Sequence, residues 1–260
     1  MTVGEAWLRR EEPKSPELLA RYGEAVAQIE RGVPLAYAVG RVGFRTLDLA
    51  IDPRALIPRP ETEGLVDLVL ANTENRVPNT GGLVADIGTG SGCIALALAV
   101  EGQFDKIVAV EHSPAAAALA RENVKRIGPK TPVEVREGDL LAPLLADGER
   151  FRAIVANPPY LSAADHADLD RSVADFEPRD ALVSGIDGLE VTRRLFAGAA
   201  ALLEPDGLLA IEIDERRADA IHALGREYGW KVETHADLFG CPRYALATPG
   251  HGPGANTSEE

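Results

Sequence analysis

The stretch L-V-A-D-I-G-T-G-S-G-C, Leu83 to Cys93, carries the reading of the fold. Five β-prone residues run straight into three glycines at alternate positions, Gly88, Gly90 and Gly92, and an alanine-rich helical segment follows. That strand, tight turn and helix is the setting a nucleotide-binding loop requires, because the helix N-terminus and a close-lying backbone meet the ligand there. A dinucleotide fingerprint wants glycine or alanine at the sixth position from Gly88, where this chain has Cys93. The spacing argues against NAD and suits a nucleoside without a pyrophosphate. A lone glycine loop is also compatible with a simple turn, so the neighbouring segments decide.

Outward from the loop, K-I-V-A-V-E (106–111), V-E-V-R-E (133–137) and F-R-A-I-V-A (151–156) read as further short strands. G-L-L-A-I-E-I (207–213), W-K-V-E-T-H (230–235) and R-Y-A-L-A-T (243–248) complete the set, with helical patterns over 187–203 and 217–227. This alternation predicts an open parallel sheet with helices on both faces. Such sheets bind ligands at the carboxyl ends of their strands. Three strand ends there offer polar groups. Glu111 is placed to accept from two ribose hydroxyls, Asp139 to accept from an adenine amino group, and Asn157 opens the turn N-P-P-Y (157–160). Two successive prolines remove two donors and stiffen that corner, so its carbonyl oxygens have few local partners.

The rest of the chain sets limits. It has 260 residues, 45% apolar, enough for one domain with a small attachment. Neither a signal peptide nor an unbroken run of eighteen apolar residues is evident, which predicts a cytoplasmic protein with no membrane association. The two cysteines and scattered histidines show no ligand spacing, so no metal is expected. Acids outnumber bases 41 to 27, for a formal charge of −14, which weighs against a nucleic-acid partner because phosphate binding needs clustered cations. Residues 15–31 read as a helix capped by Ser15 with Pro16 at its first position, and 42–52 as a hairpin. Pro60 and two glutamates, Glu61 and Glu63, fall in the first turn of a third helix. The expected division is a small N-terminal part (1–52), a main domain (53–249) and a disordered tail (250–260).

The Asp-x-Gly-x-Gly-x-Gly loop resembles motif I of S-adenosylmethionine-dependent methyltransferases, and N-P-P-Y after it is similar to the amino-methyltransferases of planar nitrogens. P-L-A-Y-A-V-G-R-V-G-F (34–44), L-I-P-R-P-E-T-E (56–63), F-E-P-R-D-A-L (176–182), G-I-D-G-L (185–189) and D-L-F-G-C-P-R (237–243) together resemble the HemK/PrmC family of protein glutamine N5-methyltransferases that act on peptide chain release factors. The likeness spans about residues 34 to 248. It implies a Rossmann-like seven-stranded α/β fold with S-adenosyl-L-methionine held by Asp86, Gly88, Thr89, Gly90, Ser91, Gly92, Glu111, Asp139, Leu140 and Asn157. By the same resemblance Asn157, Pro158 and Tyr160 act in catalysis, and Arg59, Glu61 and Pro159 join them around the glutamine. Two departures stand out. Only about thirty residues precede P-L-A-Y where the family has a longer helical domain, and Asp214 and Arg216 follow I-E-I where the family tends to have glycine and then glutamine. The same chemistry on an adenine or guanine amino group, and a binding module without turnover, are the alternatives.

Overall fold

The computed structural model describes residues 13–74, 81–145 and 148–250; the expected disordered tail lies outside them but for Gly250. The chain opens with helix α1 (Pro16–Glu30), a short helix α2 (Leu35–Val39) and an antiparallel hairpin, β1 (Arg41–Phe44) and β2 (Leu47–Ala50). Ser15 caps α1 by accepting from the Leu18 amide, with Pro16 at the first position as read from the sequence. The hairpin turn places Arg45 at φ +51°, an uncommon conformation for a side-chain-bearing residue. Its amide donates to Glu63 at 2.8 Å and its guanidinium pairs with Glu101 at 2.7 Å, which clamps the turn against the helices behind it.

The third helix, α3, runs Thr62–Glu74, so only Glu63 lies in its first turn. Pro60 and Glu61 sit instead in the turn leading in. There Thr62, Glu63 and Gly64 amides donate to Arg59, Pro60 and Glu61 carbonyls, three residues back, before the wider α spacing takes over.

Seven strands form the main sheet: β3 (Leu83–Ile87), β4 (Lys106–Glu111), β5 (Val133–Glu137), β6 (Phe151–Ala156), β7 (Leu203–Glu212), β8 (Trp230–Ala236) and β9 (Pro242–Pro249). Their order is β5-β4-β3-β6-β7-β9-β8. The first five are parallel, but β9 runs antiparallel to both β7 and β8, which corrects the expectation of a parallel sheet. The reason is the tight connection at 237–241. Asp237 Oδ1 accepts from the Phe239 and Cys241 amides, closing a hairpin that can only return antiparallel.

Strand periodicity then sorts side chains to two faces. Val84, Ile107, Ala153, Val155 and Leu208 pack with α3, the hairpin and helix α4 (Cys93–Glu101), while helix α5 (Pro114–Ile127) adds Val124 and Ile127. Ala85, Ile87, Val110, Ile154 and Ile211 pack on the other side with α8 (Glu190–Gly198) and α9 (Ala218–Glu227). The helix expected over 187–203 is shorter, since its last turn, Ala199–Leu202, tightens to a 3₁₀ form entering β7. Two short helices, α6 (Ala163–Ala167) and α7 (Arg171–Ala174), are not apparent in the sequence because four or five residues cannot display a 3.6-residue period.

Asn123 of α5 ties these parts together. It is fully buried; its Oδ1 accepts from the Ala50 amide at 2.7 Å, and its Nδ2 donates to the Ala50 and Ser91 carbonyls at 3.0 and 2.9 Å. One side chain thus joins the N-terminal hairpin to the glycine loop. Asn123→Ala leaves one buried and two partly buried backbone groups without their partner and is expected to cost about 2–4 kcal/mol of stability, read as a fall of several degrees in melting temperature.

Candidate active site

The glycine loop leaves β3 through residues that need left-handed backbone: Gly88 at φ +73° and Gly90 at +56°. A Cβ placed on Gly88 would meet nothing within 4 Å, so the loop faces open space at the strand ends. Below it Asp86 is wholly buried, with Oδ2 accepting from Thr89 Oγ1 at 2.6 Å and from the Ala95 amide at 3.1 Å. Its Oδ1 has no hydrogen-bond partner among the described residues. Burial pushes the Asp86 carboxyl up to about 7 against those two bonds. Asp86 and Thr89 therefore brace the loop from beneath.

Glu111 ends β4 and spans the next gap. Its Oε2 accepts from the Gly90 amide at 2.8 Å and its Oε1 from the Ser113 amide at 2.9 Å. A carboxylate oxygen has two acceptor sites, so one remains on each for a further donor. Ser113 in turn caps α5, accepting from the Ala116 amide. Beyond β5, Leu140 is held at φ +48°, and Asp139 is paired with Arg194 of α8, which lowers its pKa. Both members of that pair are half exposed, so it is worth at most about 1 kcal/mol and yields readily to another donor.

Asn157 follows β6 directly, and its Nδ2 donates to Thr62 Oγ1 at 3.1 Å. Thr62 Oγ1 donates to Glu212 Oε2 at 2.7 Å, and both of these residues are buried. Burial raises the Glu212 pKa to about 7, with the Thr62 bond and Arg243 opposing. Pro158 is buried, and burial pushes the Tyr160 phenol up to about 12. Arg59 reaches the buried Glu177 at 2.6 Å, and Glu177 also accepts from the Ile57 amide, so the R-P-E-T-E and F-E-P-R-D segments are pinned to each other. The Tyr244 hydroxyl donates to the Glu61 carbonyl, lying where a Cβ on Gly64 would be 2.4 Å away, which accounts for that glycine.

The departures at Asp214 and Arg216 form a network. Arg216 and Arg217 both pair with Asp214, and both reach Asp165, at 3.0 and 2.6 Å. Asp165 also closes the capping box of α6 with Ser162, so the segment after N-P-P-Y is fastened to the end of β7.

Thr62, Glu177, Glu212 and Asn123 do not stand out in the sequence as site residues. Glu212 has a signal, an acid inside the apolar run L-L-A-I-E-I, since a buried carboxylate needs partners. Asn123 has none, lying in an ordinary polar stretch of helix.

A model of the methyltransferase small domain matches residues 66–174. The ribosomal protein L11 methylase of Lactobacillus delbrueckii subsp. bulgaricus superposes with a TM-score of 0.55 at 20% identity, over 81% of this chain and 99% of that one, a likeness of fold alone. The protein is an S-adenosylmethionine-dependent methyltransferase with the Rossmann-like seven-stranded fold. The release factor glutamine methyltransferase of Moorella thermoacetica is 41% identical over 221 residues, 85% of this chain and 76% of that protein. That of Deinococcus radiodurans is 41% identical over 240 residues, 92% and 83% of the respective chains. This chain belongs to the release factor glutamine methyltransferase family.

Glu111→Ala removes the acceptors of the Gly90 and Ser113 amides together with those offered to a ribose, and is expected to raise the Kd for S-adenosylmethionine about tenfold or more by calorimetry. Asp86 has a folded-state pKa of about 7 against an ordinary 3.8, so ionising it opposes folding. Its contribution is full below about pH 4 and is lost as pH rises through about 7. Chemical unfolding across that range should show a shallower decline for Asp86→Asn than for the native protein.

Proposed function

We propose that this protein transfers a methyl group from S-adenosylmethionine to the side-chain amide nitrogen of a glutamine in a peptide chain release factor, in the cytoplasm. The carrying observation is Asn157, set level with the glycine loop on the neighbouring strand with its NH2 end engaged by Thr62. The names of the relatives support the acceptor.

An amide nitrogen is a poor nucleophile because its lone pair is delocalised into the carbonyl. Its two N–H groups need acceptors, and Asn157 Oδ1 with the Pro158 carbonyl supply them. Accepting both hydrogens holds the nitrogen in place, aims its lone pair and stabilises the positive charge that grows on it. Proline fixes the direction of the carbonyl, and the Tyr160 ring offers a flat wall to a planar group. Gly88 to Gly92, Glu111, Asp139 and Leu140 hold the cofactor, which brings its methyl on a cationic sulfonium. Arg59 and Glu61 line the mouth on the α3 side. The methylated nitrogen is acidic and gives up a proton to water, so no strong base is required.

A protein acceptor is favoured over nucleic acid by charge. The chain carries −14, and Arg59, Arg216, Arg217 and Arg243 around this mouth are each ion-paired within the protein.

With labelled S-adenosylmethionine and release factors, peptide mass spectrometry should find one added methyl on a glutamine. Asn157→Ala should lower kcat about 100-fold while cofactor affinity stays within about twofold. Label absent from every glutamine, or present on RNA, overturns the reading.

A further inference from the structure

We infer that Thr62 and Glu212 are positioning residues that decide which end of the Asn157 carboxamide faces the acceptor nitrogen. The inference rests on the reading of Asn157 as the group that accepts from the substrate amide.

The three residues come from three elements: Thr62 begins α3, Glu212 ends β7, and Asn157 follows β6. Thr62 and Glu212 are each 2% exposed, so water does not compete for their hydrogen bonds. The Thr62 hydroxyl has one proton, and it goes to Glu212 Oε2 at 2.7 Å. Toward Asn157 at 3.1 Å the same oxygen can offer only a lone pair. The end of Asn157 that satisfies a lone pair is the NH2.

This matters because a carboxamide is nearly symmetric in shape. Its O and N ends fill the same space, so packing does not choose between them and hydrogen bonding must. With NH2 turned inward, Oδ1 lies on the opposite side of the planar group. Reversed, Asn157 would meet the substrate NH2 with an NH2 of its own, donor against donor. The one-way chain from Asn157 through the Thr62 hydroxyl to the Glu212 carboxylate is what makes Asn157 an acceptor.

The chain holds its direction while Glu212 is ionised. Glu212 is faced by Arg243 and Tyr244 of β9, by Glu61 ahead of α3, by Tyr160 beyond the proline turn and by Cys93 at the head of α4. Arg243, the bond from Thr62 and, least, the nearby Asn157 NH2 favour the carboxylate, whereas burial and Glu61 favour the acid. Once protonated, Glu212 no longer needs the Thr62 proton, and the preference at Asn157 is lost.

Thr62→Val keeps the shape and removes the hydroxyl; Thr62→Ser keeps the hydroxyl. The expected result is a fall in kcat of about tenfold or more for Thr62→Val, with the Kd for S-adenosylmethionine unchanged, and recovery in Thr62→Ser. The native protein is expected to lose kcat as pH falls through about 7, and Glu212→Gln should not show that acid limb. Asp86, the other buried acid titrating there, is intact in that variant, so a surviving limb overturns the role of Glu212. Native kcat in Thr62→Val, or a loss that serine does not restore, overturns the role of Thr62. A readout independent of turnover is hydrogen exchange of the Asn157 side-chain NH2, assigned by its absence in Asn157→Ala. Slow exchange in the native protein at pH 8 is expected, and fast exchange overturns the inference whether or not Thr62→Val folds. If the native protein methylates no glutamine, the substrate reading fails while this exchange still decides the orientation.

Discussion

Ile87 lies opposite Val110 on one side and Ala156 on the other, and Ala156 lies opposite Ile211. The residue after each of these is Gly88, Glu111, Asn157 or Glu212. The register of four parallel strands therefore lays the loop glycine, the proposed ribose acceptor, the proposed catalytic amide and its buried partner in one row across the sheet. Slipping one strand by a single residue would turn its side chains to the opposite face and break the row. The row also straddles the place where the strand order turns back, between β4-β3 and β6-β7, which is where an open α/β sheet leaves a crevice.

A row at strand ends brings a difficulty, because the backbone leaves the ladder there and its polar groups lose their regular partners. The protein supplies side chains instead. Glu111 takes the Gly90 and Ser113 amides, Asp86 takes the Ala95 amide, and Asn123 takes the Ser91 carbonyl. Glu177 takes the Ile57 amide on the far wall. Loops fastened in this way are ordered before a ligand arrives, so less conformational entropy is lost on binding. The same fastening explains why groups outside the row are as consequential as those in it.

The elements of the sheet are legible in the sequence because each is a short β-prone run, apolar or alternating as in V-E-V-R-E and W-K-V-E-T-H, set off by glycine, proline or polar residues. The residues at strand ends are legible for the same reason, since Glu111 is the last residue of one strand and Asn157 the first beyond another. The relative direction of β8 and β9 is not, because strand patterning carries no sign and the tight 237–241 turn that sets it reads equally well as a family motif. Thr62 is hidden by ambiguity: in R-P-E-T-E a threonine beside glutamates at a helix start is accounted for by helix capping alone. Glu177 and Asn123 find their partners about 120 and 30 to 70 positions away, and no local pattern announces a contact at that distance.

The replacement of a small residue by Asp214 looks disruptive, since it puts an acid two positions past Glu212 at the edge of the site. Burial opposes its ionisation, yet the bonds from Arg216 and the charges of Arg216 and Arg217 prevail and lower its pKa. The two arginines then meet a second acid, Asp165, giving two positive and two negative charges in one cluster. Such a cluster adds little net field at Glu212, so the balance between burial, Thr62 and Arg243 there is left to the groups in direct contact. The contribution of the cluster is mechanical. It binds α6, immediately after Tyr160, to the chain leaving β7, and a Cβ on Gly188 would lie 2.3 Å from the Tyr160 carbonyl and 2.8 Å from Arg217 Nε. The wall behind the proline turn is thus held by ion pairs on the segment that leaves β7, directly beyond Glu212, so the proline turn and the strand end that carries Glu212 are tied to each other.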